Sequence, residues 1–369
     1  MQEATIKEVA RHADVSTATV SRSLRGLGGV SPRTAARVRK VADQLGYTVS
    51  PFASRLASGR AGAVAVLLPY VDRWFFGELL GAAEQVFREA GFDLLLYHVG
   101  DAETRQEYFS FRLLRKRVDG ALLATLALTD PEISALRNLG VPICMVGAEV
   151  DGFHSITIDD VGAASTAVQH LLNLGHERVA IISGDLNQPM PFTVPQDRLA
   201  GYRAALEAAG IPLDPGLEAQ GDFTVRGGES ATAQLFGRKR PPTAVFAESD
   251  EMAFGALRTL ARLGLQVPSD VSVVGFDDHP LAEYFDLTTI SQSVRDQGRA
   301  IAQQLVSALV DHAQVQPAHI HAPTSLVIRG STTVPGSLLR PARARSAARN
   351  KPTNSTRNET GLTKTERKR

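Results

Sequence analysis

Apolar residues recur along this chain with two different periods, and the change of period divides it. From residue 5 to residue 46 the spacing is helical. Thr5-Ile6-Lys7-Glu8 has the pattern of a capping box, after which Ile6, Val9, Ala10 and Ala13 form one apolar stripe. Asp14-Val15-Ser16 supplies a turn and a fresh N-cap, predicting a second helix over about Thr17 to Arg25 with only Val20 and Leu24 as apolar contacts. Ser31-Pro32 opens a third helix carrying Val38, Val41, Ala42 and Leu45, closed by Gly46. A short segment, Ser50-Pro51 to Ala57, could make two further turns, too few to persist without a partner.

From residue 62 the pattern becomes continuous apolar runs alternating with helical stretches. The runs are Ala63 to Leu68, Phe92 to Tyr97, Val118 to Ala124, Val141 to Val146, Val179 to Ser183, Ala244 to Ala247 and Val271 to Gly275. The intervening helices end on glycine just before the next run, as in Ala90-Gly91-Phe92 and Leu263-Gly264-Leu265. This is the signature of buried parallel strands with crossover helices, and about 270 such residues exceed one doubly wound lobe. Two α/β lobes with a cleft between them are expected. The assignment is 62–160 with about 292–318 for the first lobe and 161–291 with about 319–334 for the second.

Charge sharpens this division. The chain has 369 residues and a net charge of +1, but residues 1–60 carry +6, residues 61–336 carry −13 and residues 337–369 carry +8. Basic ends on an acidic body point to a polyanion, and nucleic acid fits. The tail has no apolar period and is expected to be disordered. A single cysteine, Cys144, excludes an internal disulfide and a cysteine-based zinc site. No run is long and apolar enough to span a membrane, and no signal peptide opens the chain, so a cytoplasmic protein is expected. Phosphate-binding GxxxxGK[ST], strand-linked GxGxxG, HExxH and GxSxG patterns are missing, which argues against an enzyme, a cofactor or a catalytic metal.

Three helices in about 45 residues, the second short with a polar, acid-poor outer face, suit a helix-turn-helix that lays its second helix in the major groove. Arg22 has the reach and fork geometry for guanine, whereas Thr17 and Ala18 offer a hydroxyl and methyl contacts. Arg33, Arg37 and Lys40 are placed to meet phosphates, as are Ser16 and Ser21. In the body, the residues after the strand ends carry the candidate chemistry. These are the aromatic run Tyr70 to Phe76, Phe223, Ser249-Asp250 and Asp277-Asp278, with Arg198 opening a helix between them in sequence. Aromatic faces, carboxylates and a guanidinium together suit a polyhydroxylated ligand.

TIKEVARHADVSTATVSRSLRG followed by VSPRTAARVRKVADQLGY resembles the head of the lactose/galactose repressor (LacI/GalR) family. The body is similar to that family's effector domain from residue 62 to about 333, most clearly in Val118-Asp119-Gly120, Gly175-His176, Arg198 to Gly201, Asp250 to Ala253 and Val267 to Asp278. The resemblance implies a helix-turn-helix head on a periplasmic-binding-protein-like body. It places Thr17, Ala18 and Arg22 at base-reading positions, Leu56 as a minor-groove wedge on the hinge, and Phe75, Arg198, Phe223, Ser249, Asp250 and Asp277 around an effector. Ser249 stands where many members have asparagine, and Val49-Ser50 where many have proline and asparagine. The implied partners are double-stranded operator DNA with an inverted repeat, a sugar or, alternatively, a nucleobase or nucleoside, and a second copy of the chain, because the tail lacks a leucine heptad that would join dimers. A ligand-binding protein without a regulatory role is the remaining alternative.

Overall fold

The computed structural model describes residues 4–24, 26, 28–47, 60–110, 114, 116–186, 193–310 and 317–336. The hinge segment with Val49, Ser50 and Leu56, and the basic tail, lie outside the described residues.

The head is three helices, α1 (Ile6–His12), α2 (Thr17–Leu24) and α3 (Pro32–Gln44). The capping box forms as the sequence predicts: the Glu8 amide donates to Thr5 Oγ1 at 3.4 Å, and Glu8 Oε2 accepts from the Thr5 amide at 2.7 Å. Ser16 Oγ accepts from the Thr19 amide at 3.1 Å, and Ser31 Oγ from the Thr34 amide at 3.2 Å. Val9, Ala10, Ala13, Val20, Val38 and Ala42 make one small core. The second helix is described as far as Leu24; the expected last residue, Arg25, lies outside the described residues.

The body contains two six-stranded sheets. The first holds β1 (Ala63–Leu68), β2 (Asp93–His98), β3 (Gly120–Ala124), β4 (Ile143–Val146), β5 (His154–Thr157) and a late strand, here β11 (His319–His321), in the order β11-β5-β4-β3-β1-β2, all parallel. The second holds β6 (Val179–Ser183), β7 (Glu218–Gln220), β8 (Ala244–Ala247), β9 (Ser272–Asp277), β10 (Thr288–Ser291) and β12 (Ser325–Val327), in the order β12-β10-β9-β8-β6-β7. Only β12 runs antiparallel to its neighbour.

Alternate residues of each strand face opposite layers, so each sheet is buried on both faces. Val64, Val66 and Leu68 pack under Phe76, Leu79 and Phe87 of α4 (Trp74–Glu89) and Ile301 and Leu305 of a late helix over Val294–Val310, while Ala65 and Leu67 face Phe109, Leu114 and Leu136. In the second sheet, Ala180, Ile182 and Val245 meet Leu235, Met252 and Leu260, and Val179, Ile181 and Phe246 meet Leu171, Leu199 and Tyr202. Gly91, Gly140, Gly175 and Gly264, at the helix ends noted in the sequence, all have positive φ (81°, 74°, 94° and 74°), a conformation open to glycine without a Cβ clash.

The chain passes between the sheets three times, after β5, after β10 and after β11. The last crossing differs from the sequence expectation. Because β11 pairs with β5 of the first sheet (His319 opposite Ser155), the crossing falls between residues 321 and 325, not at 318/319. Two polar side chains anchor β11 there: Ser155 Oγ lies 2.7 Å from His319 Nδ1, and the Ala318 amide donates to His154 Nδ1 at 3.2 Å.

Candidate functional site

Two surfaces carry the candidate chemistry, and they are built in opposite ways. On the head, burial of Val20 and Ser23 against the other helices turns Thr17, Ala18 and Arg22 outward, and all three are exposed. Ser23 donates to the Thr19 carbonyl at 2.7 Å, so a polar residue fits the inner face without an unpaired group. Ser16, Arg33, Arg37 and Lys40 are exposed and Ser21 is half-buried. Helix α2 has no acidic residue in its first turn, so its positive end meets no neutralising charge within the helix.

In the body, the strand ends of both sheets converge on a cleft of about 540 Å³. Of the sequence-predicted residues, Phe75, Arg198, Phe223, Ser249 and Asp277 line it. Phe75 stands edge-on to Phe76, with centroids 5.2 Å apart. Phe223 lies directly on the backbone of Gly184, where a Cβ would come 2.1 Å from its ring, so glycine is required at that strand end. Ser249 caps α10 (Asp250–Arg262), accepting from the Met252 amide at 3.3 Å. Asp250 is placed differently. It is fully buried and absent from the pocket wall, with one carboxylate oxygen accepting from Thr289 Oγ1 at 2.7 Å and the other from the His279 amide at 2.7 Å. It therefore braces the turn after β9 in place of lining the cleft.

Arg198 is the electrostatic centre. It is 4% exposed, donates from Nε to Asp160 Oδ1 at 2.8 Å and from Nη1 to the Glu248 carbonyl, and its Nη1 lies 3.9 Å from Asp277 Oδ1. Its planar group stacks 3.5 Å from the Phe276 ring centroid. Burial, only partly offset by this one guanidinium, makes the neighbouring carboxyls hold their protons more tightly than usual. Burial pushes Asp277 up to about 7 against the pull of Arg198. Burial also raises Asp160, and drives Glu248 and Asp250 well above the ordinary carboxylate range. Gln292 donates to Asp277 Oδ1 at 2.6 Å and fixes that carboxyl from the second crossing between sheets.

Several wall residues escape the sequence reading: Arg73, Thr125, Glu251 and Gln292 line the cleft, and Glu248 is buried beside Arg198, accepting from the Gly184 amide at 2.8 Å. Thr125 and Glu248 directly follow β3 and β8, so the strand-end rule that picked out Arg198's neighbours could have found them. Arg73 and Trp74, from the first sheet's side, reach the second: Arg73 Nη2 lies 3.8 Å from Asp222 Oδ2, and the Trp74 ring is 4.7 Å from that of His279. His176, beside its glycine, is a structural tie, with Nδ1 2.9 Å from Thr243 Oγ1 and Nε2 2.9 Å from the Thr333 carbonyl. Among the described residues, no cluster of His, Cys, Asp and Glu could hold a metal ion, and no helix is long and apolar enough to cross a membrane.

Comparison with known proteins meets this geometry at both surfaces. Residues 5–50 match the family model described as bacterial regulatory proteins, lacI family, and residues 168–332 match a periplasmic binding protein-like domain. The chain is 36% identical over 339 residues to the HTH-type transcriptional repressor CytR of Escherichia coli strain K12, an alignment covering 89% of this chain and 96% of that one. Among solved structures, the lac repressor dimer bound to operator and the anti-inducer ONPF aligns with a TM-score of 0.79 at 27% identity, over 90% of this chain and all of that one. A complex of the transcriptional regulator CelR with cellobiose aligns at 0.65 and 32% identity, over 89% and 99% of the two chains.

Proposed function

The chain belongs to the lacI family of bacterial regulatory proteins, and on that premise we propose that the α2 face reads an operator whose affinity is set by a sugar held in the cleft between the two sheets. It is a DNA-binding transcriptional regulator. In this reading Arg22 makes the principal base contact, Thr17 and Ala18 add small contacts, and Ser16, Ser21, Arg33, Arg37 and Lys40 meet the backbone. Leu56, in the hinge, supplies the minor-groove wedge.

The observation that carries the reading is the pairing of an exposed, acid-free helix face with a cleft walled by both sheets in one chain. The cleft combines two aromatic faces, Phe75 and Phe223, with Arg198 and Asp277, which suits a ring with one apolar face and several hydroxyls. A ligand that contacts both walls favours one relative placement of the sheets. The first sheet carries residues 60–62, where the hinge enters, so that preference reaches the DNA-binding end. The relatives are regulators, and this chain is read as non-enzymatic too.

A homodimer fits the two-fold symmetry of an inverted repeat, and the lac repressor structure is a dimer. The apolar residues Leu281, Tyr284 and Phe285, which are 44%, 84% and 52% exposed, offer an apolar patch on the second sheet's side for a second copy. Tyr284→Asp is expected to yield monomers in sedimentation.

The deciding experiment is a mobility shift on inverted-repeat DNA with a panel of sugars and nucleosides. Retention of DNA that one sugar alters supports the reading, and alteration by nucleosides alone replaces the sugar with a base stacked between the same rings. Retention unaffected by any small molecule that binds the body would sink the coupling.

A further inference from the structure

A second cavity, of about 1330 Å³, opens beside the aromatic pocket, and the two share one wall residue, Thr125. Its lining is acidic: Asp130, Glu149, Asp151, Asp160 and Asp197 face a single guanidinium, Arg137. Arg137 is itself engaged, donating to the Asp151 carbonyl at 2.9 Å and lying 6.0 Å from the Phe153 ring centroid. Exposed carboxylates alone define no site, but two further observations tie this cavity to the ligand pocket.

The first is Thr125 itself. It is 7% exposed, and its hydroxyl is buried with no hydrogen-bond partner, a costly arrangement unless something else completes it. Its φ of 50° is a conformation that β-branched residues rarely adopt. Across from it Gly147, with φ of 70°, leaves open the space where a Cβ would come 2.7 Å from Thr125 Cγ2. The second is the Arg198–Asp160 pair, held at 2.8 Å: Arg198 lines the aromatic pocket and Asp160 lines the acidic cavity. The two cavities are thus joined by a shared residue and by a shared ion pair.

We propose that the cleft takes an uncharged glycoside of two units, one ring in the aromatic pocket and a second, hydroxyl-rich unit in the acid-lined cavity, with the Thr125 hydroxyl bonding at the junction. This rests on the reading of the cleft as a sugar site. The aromatic pocket presents the Phe75 and Phe223 rings beside Arg198 and Asp277, the stacking faces and polar groups that one sugar ring uses. Carboxylates accept hydrogen bonds and donate none once ionised, so the second cavity selects a unit rich in hydroxyl donors and repels anionic substituents such as phosphate.

The test is titration calorimetry on the full chain with cellobiose, lactose and maltose, and with their component hexoses. It is repeated on Thr125→Val and on Asp130→Asn/Asp197→Asn, with melting curves showing that each variant folds. The expected result is one disaccharide bound at least tenfold more tightly than its hexoses. Both variants should bring it down toward hexose affinity, while in Asp130→Asn/Asp197→Asn, whose residues line the acidic cavity alone, hexose binding stays within twofold of wild type. Hexoses binding as tightly as every disaccharide, or variants that bind the disaccharide like wild type, overturn the two-unit site alone. Should no sugar bind the wild-type chain while nucleosides do, the sugar reading falls and this proposal with it.

Discussion

Arg22 on the head and Arg198 in the cleft are the same residue type at the centre of two functional surfaces, yet one is exposed and the other 4% exposed. Arg22 lies on a helix face that is largely free of packing, with its guanidinium about 3.6 Å from where a Gly29 Cβ would stand. Its charge stays hydrated in the free chain, so it adds little to the stability of the head, and the proposed reading assigns it to recognition of DNA. Arg198 has already lost its water and is held by Asp160, the Glu248 carbonyl and the Phe276 ring. There the same chemistry belongs to the fold as much as to the ligand. A surface that must find its partner is kept uncommitted, and a surface that must report its ligand is wired into the core.

The strongest way to break this comparison is to remove Arg198. Arg198→Ala leaves Asp160 and Asp277 buried without their cation, and a loss of about 3–5 kcal/mol in the stability of the body is expected. Both carboxyls have raised proton affinity, so they neutralise readily in acid, and the loss should be smaller at pH 5 than at pH 8. Urea melts of variant and wild type at the two pH values check this. Equal losses at both would detach Arg198 from the carboxyl cluster.

Arg22→Ala should show the reverse profile. Operator discrimination is expected to weaken by about 1–3 kcal/mol in each half-site, with nonspecific binding much less affected. Stability should change by no more than about 0.5 kcal/mol, as for an ordinary surface substitution. Competition between operator and random DNA at fixed salt, alongside a melting curve, separates the two effects. Discrimination that survives the substitution would move base reading to Thr17, Ala18 or the hinge.

Asp277 sharpens the contrast from the cleft side. Its carboxyl is held up to about 7 by burial, and hydroxyls of a ligand donate best to its ionised form. Binding then releases a proton. Affinity should climb about tenfold per pH unit below 7 and level off above it. The unliganded body carries the opposite trend from this group, losing stability as pH rises from the ordinary aspartate value of 3.8 toward 7, because only the unfolded chain gives up its proton there. Asp277→Asn should flatten the affinity profile between pH 5.5 and 8 (about one and a half decades otherwise), as read by calorimetry. A profile that keeps its slope in the variant would assign the proton to another carboxyl.

The two surfaces were also unequally legible in the sequence. Everything that shapes the head is local: Thr5 and Glu8, Ser16 and Thr19, and Ser31 and Thr34 are each three residues apart, and the apolar stripes repeat every three or four. The seven strands built of continuous apolar runs were visible for the same reason. The missed strands β5, β7, β10, β11 and β12 are three or four residues long and carry polar side chains whose partners are distant. Thr288 and Thr289 of β10 are fully buried, but their hydroxyls are satisfied by the Arg329 carbonyl and by Asp250, contacts that leave no periodic trace. In the cleft, Phe223 and Asp277 stood out near strand ends, and Arg198 as a charge at the opening of a helix. Gln292 and Arg73 become wall residues only once the sheets are set side by side, and Asp250 looked like a wall residue because nothing local reveals that Thr289 and the His279 amide occupy both its oxygens.

The smallest effect tests whether head and body are as separable as their wiring suggests. Thr5 Oγ1 caps α1 and shares Glu8 with its own amide, and none of its hydrogen bonds leaves the head. Thr5→Ala should therefore cost about 1 kcal/mol, all of it in the head. Hydrogen exchange offers the resolution that a global melt lacks. Protection should fall in α1 and in the amides near Val9, Val20 and Val38, which share its core, while strands β1 and β9 keep theirs. Operator affinity should drop slightly, because a destabilised head presents the α2 face for a smaller fraction of the time, while effector binding stays unchanged. Exchange that quickened in the two sheets as well would mean that the head is held by the body, and the uncommitted surface would then owe its shape to the wired one.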